Sequence, residues 1–313
     1  MEIIDSHMHI GFDCNNDYYA EKGIEEYLKE IKNTNIKFFI PSVNPKISLF
    51  TCKKDCSNEC EVLVDSKEKV CPVGCLDRER HRVSIVDGLS GNLIAFCERC
   101  QEKIYEGPDP FRKYNLMLME LCKNSNCALP NLVLTISNST VNQEIKFYEE
   151  NFKKLYAGYK IHQTTNMRSI NSLEYINSNR TILVHADLHT YDSINNVIEF
   201  SKRYEGNIVI AHSYILLAPN LIENQNNLYF DICPIDNFRK YKQFIAHNDA
   251  YDQNDNIYES ALKYLNEDKL LFATDWPYGN VIENVNEIEK SSLDEKQKSK
   301  VLSLNLAKAY HLY

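Results

Sequence analysis

Ile3-Ile4-Asp5-Ser6-His7-Met8-His9 opens the chain as a short apolar run that closes in two histidines. Side chains alternate along a strand with a period of 2, so His7 and His9 project from one face and both imidazoles can reach a single ion. The same kind of ending recurs downstream. Ile182-Leu183-Val184-His185, Val209-Ile210-Ala211-His212 and Phe272-Ala273-Thr274-Asp275-Trp276-Pro277 are apolar runs, each delivering one ligand-type residue at its end. Taken singly, each has an ordinary explanation: a histidine can be a hydrogen-bonded core residue, and an aspartate often caps the following helix. Taken together, strand ends finishing in His, His, His and Asp predict one metal site on a common rim.

Around these four runs lie four more, giving strands expected over 3–9, 36–43, 132–137, 158–162, 182–186, 208–212, 229–233 and 270–274. Segments with helical spacing separate them, such as Phe111, Tyr114, Met117 and Leu121, and a last helix carrying Val301, Leu302, Leu306 and Ala309. Ser292 with Glu295 offers that last helix a capping box. Strands alternating with helices predict a parallel sheet covered by helices, here a (β/α)8 TIM barrel. The count works once residues 45–110 are set apart, because the remainder, 1–44 and 111–313, is about the 250 residues such a barrel needs.

Residues 45–110 read as an insertion after strand 2. Pro45 and Gly107-Pro108-Asp109-Pro110 punctuate its ends, and seven of the chain's 11 cysteines fall inside it. Cys71-Pro72-Val73-Gly74-Cys75 and Cys97-Glu98-Arg99-Cys100 are two close pairs with a hairpin expected between them, over 82–88 and 92–96. That arrangement predicts a ribbon with structural zinc on Cys71, Cys75, Cys97 and Cys100, because four thiolates satisfy zinc and add the folding energy a small module lacks. Cys52, Cys56 and Cys60 recur every four residues. They suit a second structural zinc completed by His81, Asp55 or another acid, or an iron-sulfur cluster, and the spacing leaves both open. Cys14, Cys122, Cys127 and Cys233 are expected to be packing or surface residues.

Composition narrows the classes. The chain has 313 residues, 43% hydrophobic and 25% charged, enough to bury a full core. A formal charge of -9 argues against a nucleic-acid partner. No run of 18 apolar residues and no basic-then-apolar start is present, so a soluble cytoplasmic protein is expected, with no membrane association. An odd cysteine count excludes full disulfide pairing within one chain. Homo-oligomerisation stays open, as does a protein partner docked on the insertion.

The motifs Asp5-Ser6-His7-Met8-His9, Gly158-Tyr159-Lys160-Ile161-His162, Leu183-Val184-His185, Ala211-His212-Ser213, 271–277 and Asn305-Leu306-Ala307-Lys308-Ala309-Tyr310 resemble the amidohydrolase superfamily. Within it they are similar to the amidohydrolase 2 branch of aminocarboxymuconate-semialdehyde decarboxylase-like proteins. The resemblance spans both flanks of the insertion. It implies a divalent metal, usually zinc, on His7, His9, His185 and Asp275, with His212 within hydrogen-bonding reach of a small-molecule substrate.

The chemistry also follows from the residue types. Neutral imidazoles and one carboxylate leave a bound cation its charge and an open position, which lowers the pKa of bound water from about 15.7 to near 7. Asp275 is then the natural proton acceptor, and His212 the group that polarises a carbonyl or steadies its oxyanion. Hydrolysis of an amide, lactone or ester is the leading expectation, and decarboxylation or hydration by a lyase on the same scaffold is the alternative. A non-catalytic docking role for the cysteine module is the third. Lys160 and His162, which share a strand face, are candidates for a second catalytic metal or for holding substrate, and one metal is the favoured count. Phe12, Arg168, His189, Arg239, Trp276 and Tyr278 are positional candidates for substrate contact.

Overall fold

Runs of Ile, Val, Leu and Phe long enough for a strand, and buried on both faces, favour parallel pairing inside a jacket of helices. The computed structural model describes residues 1–11, 18–43, 83–87, 92–97, 103–135, 140–162, 170, 173, 176–185, 191–212, 226–233 and 256–312. Its strands are β1 (Ile3–Ile10), β2 (Ile36–Val43), β3 (Val83–Asp87), β4 (Leu93–Cys97), β5 (Lys103–Gly107), β6 (Asn131–Leu134), β7 (Gly158–His162), β8 (Thr181–His185), β9 (Ile208–Ile210), β10 (Leu228–Ile232) and β11 (Leu270–Phe272). Eight of them form one sheet in the order β1-β2-β6-β7-β8-β9-β10-β11, with every neighbouring pair parallel. The ring closes where Met8 bridges Trp276: His9 N donates to Trp276 O at 2.7 Å and Asp275 N donates to His7 O at 2.8 Å. This is the (β/α)8 barrel expected from the sequence, and its eight strands overlap the eight expected runs.

Helices α1 (Tyr18–Glu30), α2 (Arg112–Lys123), α3 (Thr140–Phe152), α4 (Tyr191–Ser201), α5 (Ile257–Leu262) and α6 (Val281–Glu289) connect the strands or follow the last one. Asn256 and Asn280 cap α5 and α6, each side chain accepting from two backbone amides of the first turn. The closing run comprises α7 (Glu295–Ser299), a wide turn over Lys300–Leu304 and α8 (Asn305–Ala309). Its capping box is Asp294 with Gln297, not Ser292 with Glu295. The Ser292 amide is instead engaged by Glu259, so the chain enters the helix two residues later. The buried stripe of α2 also differs from expectation, running through Asn115, Leu118, Met119 and Cys122. A polar residue fits there because Asn115 pairs with both groups of the Val133 backbone on β6.

Two apolar layers result. An inner one gathers Ile40, Leu183, Val209, Tyr229 and Leu271 and is closed at the strand starts by Leu306, Ala309 and Tyr310. The outer layer lies between sheet and helices and includes Met8, Phe39, Leu132, Ile182 and Phe230. Ile4 packs on the inner layer whereas Met8 belongs to the outer one, although a regular strand would put both on the same face. The register irregularity of β1 between Asp5 and Met8 accounts for the switch, and it turns His7 and His9 inward.

Between residues 83 and 107, β3, β4 and β5 form a separate antiparallel sheet, so the expected hairpin is present and a third strand extends it. Cys52, Cys56, Cys60, Cys71, Cys75 and Cys100 lie outside the described residues, as do Phe12, Cys14, Asp55, His81, Arg168, His189 and Arg239. Cys97 stands on the β4 backbone opposite Val83, and its side chain is likewise not described.

Where the chain returns to the barrel, the buried Asp109 carboxylate accepts from Thr135 N at 2.7 Å and Phe111 N at 2.9 Å. Asp109 N donates to Glu144, which Arg112 grips through two nitrogens. Burial, aided by the Glu144 charge, pushes the Asp109 carboxyl up to about 7, against the backbone donors that oppose the shift. The unfolded chain releases this proton near pH 4 and the folded chain keeps it to about 7, so its contribution to stability declines as pH rises across that window. Urea unfolding from about pH 4 to about pH 8 should therefore show a steeper decline for wild type than for Asp109→Asn. Equal slopes would contradict this.

Candidate metal centre at the strand ends

Each side chain of the centre is delivered by a local feature of the backbone. His7 and His9 reach the interior through the β1 irregularity. Ala211 packs in the inner layer, so a regular strand would aim His212 outward; His212 instead adopts a φ of 64° and its ring turns to the rim. Asp275 has a φ of 52°. Left-handed backbone is costly for residues with a Cβ and persists where surroundings over-determine it, a pattern found at functional sites.

The result is a tight, buried triangle. His7 Nε2 and His9 Nε2 are 3.3 Å apart, and Asp275 Oδ1 lies 3.4 Å from the first and 3.2 Å from the second. Tetrahedral coordination at about 2.0–2.1 Å spaces ligand atoms about 3.3–3.4 Å apart, so the three atoms fit one face of the shell around a small divalent cation. Among the described residues, His7, His9 and Asp275 form one of two groups whose donor atoms lie within 4.8 Å of one another; the other is His7, His212 and Cys233. Lys160, fully buried, extends from β7 to 2.6 Å from His7 Nε2 and 3.0 Å from His9 Nε2.

The hydrogen bonds fix which nitrogens carry protons. An ammonium only donates, so both Nε2 atoms accept from Lys160 and both Nδ1 atoms carry hydrogen; a cation at the triangle would take the same lone pairs in place of Lys160. His7 Nδ1 faces Asp231 Oδ2 at 3.1 Å, and His9 Nδ1 faces Ser42 Oγ at 3.4 Å. His212 Nδ1 donates to Cys233 O at 3.1 Å and lies 3.7 Å from Asp275 Oδ2, while its Nε2 accepts from His185 Nδ1 at 2.5 Å. Burial holds His7 well below the ordinary imidazole range, reinforced by the Lys160 charge. Burial likewise takes His212 down to about 4, opposed by Asp275. Lys160 is lowered to about 8 by burial, against the pull of Asp275 and Asp231. Neutral imidazoles at neutral pH are the form that binds a metal.

Of the residues singled out in the sequence, His7, His9, Asp275 and Lys160 converge directly, and His212 sits beside Asp275. His185 lines the same rim but its ring packs on His212, 4.5 Å between centroids, outside both close groups. The side chain of His162 lies outside the described residues. Tyr278 approaches His9 with ring centroids 5.7 Å apart, and Trp276 packs on Tyr27.

Four partners were not singled out for a role. Asp231 holds His7, and Ser42 holds His9. Asp5 accepts from Tyr27 Oη at 2.5 Å and from Thr274 Oγ1 at 2.6 Å, tying α1 to the closing seam. Cys233 places Sγ 3.2 Å from Asp231 Oδ1. For Asp231 a signal did exist: an acid in the middle of the apolar run Leu-Tyr-Phe-Asp-Ile.

Residues 184–312 match the amidohydrolase family model. No curated protein matches the chain. Among solved structures, 2,6-dihydroxybenzoate decarboxylase from Rhizobium is similar at a TM-score of 0.57 and 12% identity, over 100% of this chain and 99% of that one. A 5-carboxyvanillate decarboxylase from Sphingomonas paucimobilis gives 0.56 and 10%, over 99% of both chains. A dihydroxybenzoic acid decarboxylase from Polaromonas with bound manganese gives 0.57 and 11%, over 99% and 97%. At these identities the likeness is one of fold. No helix among the described residues is long and apolar enough to cross a membrane.

The triangle makes a direct prediction. His9→Ala should lower bound divalent metal by one equivalent per chain relative to wild type, measured by elemental analysis, without changing any thiol-bound metal. Unchanged content would exclude His9 as a ligand.

Proposed function

We propose that this chain is an enzyme of the amidohydrolase superfamily, a reading supported by its match over residues 184–312 and its eight-stranded barrel, and that it cleaves a small carboxylic acid at a divalent-metal centre. Decarboxylation is the first reading. His7, His9 and Asp275 would hold the ion, with His185 the fourth ligand that the resemblance implies. Held by these residues, a divalent ion would supply Lewis-acid chemistry toward a substrate oxygen.

The observation that carries this reading is the buried ammonium of Lys160 against the two imidazoles. An ion held there would take the Nε2 lone pairs that otherwise accept from Lys160, and the displaced ammonium beside it would be left to face a substrate carboxylate. Burial of His7, His9, His212 and Asp275 argues in the same direction, because a carboxylate taken out of water loses the solvation that protects it from losing CO2. In that step the carbon–carbon bond breaks, its electron pair stays on the substrate carbon, and a proton reaches that carbon through the Asp275 and His212 pair. The three decarboxylases of similar fold support the class and suggest hydroxylated aromatic acids as first substrates to try.

Hydrolysis of an amide, lactone or ester is the second reading. It is favoured by the position of Asp275 Oδ1 next to both imidazoles, where a carboxylate can take a proton from water. His212 would then steady the oxyanion. For residues 45–110 the antiparallel hairpin supports a separate module; structural zinc on Cys71, Cys75, Cys97 and Cys100, and a second zinc or an iron-sulfur cluster on Cys52, Cys56 and Cys60, are proposed from their spacing in the sequence.

Product analysis separates the readings. Release of CO2 from a hydroxybenzoate panel is expected, whereas uptake of water with two fragments from lactones or amides would replace decarboxylation by hydrolysis. His212→Ala and Asp275→Asn should each lower kcat by about 10²–10⁴-fold. His212→Ala should keep its metal in full and Asp275→Asn much of it. Wild-type turnover in Asp275→Asn would contradict its role.

A further inference from the structure

We propose that Asp231 is a positioning residue that sets two histidines of the centre at once, the proton placement of His7 and the backbone turn of His212. This rests on the metal-centre reading above and deepens it. Asp231 comes from β10, is fully buried, and divides its carboxylate between two other strands. Oδ2 stands 3.1 Å from His7 Nδ1 on β1. Oδ1 accepts from the amide of His212, just past β9, at 2.6 Å and from Cys233 Sγ at 3.2 Å.

Both His7 nitrogens face a carboxylate, but Asp231 is the nearer, 3.1 Å against 3.4 Å for Asp275, and the Lys160 ammonium donates to Nε2 at 2.6 Å, so the proton of neutral His7 stays on Nδ1 and the Nε2 lone pair faces the centre. Partners on the far nitrogen of a metal-binding imidazole fix its tautomer and orientation. The second oxygen works on geometry instead. His212 follows the inward-facing Ala211 and reaches the rim only through its φ of 64°, and the short bond to its amide holds that turn. One side chain therefore links the ligand that binds metal to the imidazole that moves protons.

Asp231→Asn separates the two effects. The amide oxygen still accepts from His212 N, but its NH2 now faces His7 Nδ1 and favours the tautomer with hydrogen on Nε2. Imidazole 15N spectra of the full chain, recorded after chelation and with His7 assigned through His7→Gln, should show Nδ1 protonated in wild type and Nε2 protonated in Asp231→Asn. His212 resonances should stay in place in Asp231→Asn and shift in Asp231→Ala. Affinity for added Zn2+ or Mn2+ at the barrel site should fall about 10–100-fold in Asp231→Asn. A His7 that keeps its proton on Nδ1 in Asp231→Asn, with far-UV circular dichroism like wild type, would overturn the proposal. Because the tautomer is read without metal, its switch supports the proposal even where wild type shows no His9-dependent metal binding, an outcome that would sink the metal-centre reading alone.

Discussion

Two backbone hydrogen bonds join the first strand to the segment that follows the last one: Asp275 N to His7 O and His9 N to Trp276 O. They close the barrel, and they also set the spacing of the candidate ligands, because the residues that make the seam are the ones whose side chains meet above it. Asp5 reinforces the join from the outer side through Tyr27 and Thr274. A rigid seam of backbone bonds is a suitable mount for a metal shell, where ligand positions matter to a few tenths of an ångström.

From that seam the rest of the centre is assembled by contributions from other strands. Lys160 arrives from β7, His185 from β8, His212 from the end of β9 and Asp231 from β10. Nearly all are buried, so their charges and protons are governed by one another more than by solvent. Burial lowers the imidazoles and lifts the carboxyls of Asp5 and Asp231, to about 6 and about 7, which keeps the histidines neutral. Pushing acids and bases toward the middle of the pH scale is how a buried site becomes able to exchange protons.

The barrel and the convergence of His7, His9 and Asp275 were readable in the sequence because both depend on patterns with short periods. Apolar runs mark the strands, and a polar residue closing a run marks the rim where a barrel carries its chemistry. Asp231 was harder to see, because its meaning comes from strands 19 and 224 residues away, as its bonds to His212 and His7 show. The β1 irregularity and the left-handed turn at His212 leave little trace, since nothing in Ser6-His7 or Ala211-His212 announces a departure from regular geometry. Asn115 misled for the opposite reason: a polar side chain sits on the inner face of α2 because it answers a peptide group of β6.

The central claim is that His7, His9 and Asp275 hold one divalent cation. Crystals of the purified chain, measured at the absorption edges of zinc and manganese, test it most directly. The account predicts an anomalous peak at about 2.0–2.2 Å from His7 Nε2, His9 Nε2 and an Asp275 carboxylate oxygen. Crystals grown with those metals in excess that show no peak within bonding distance of the three would contradict it.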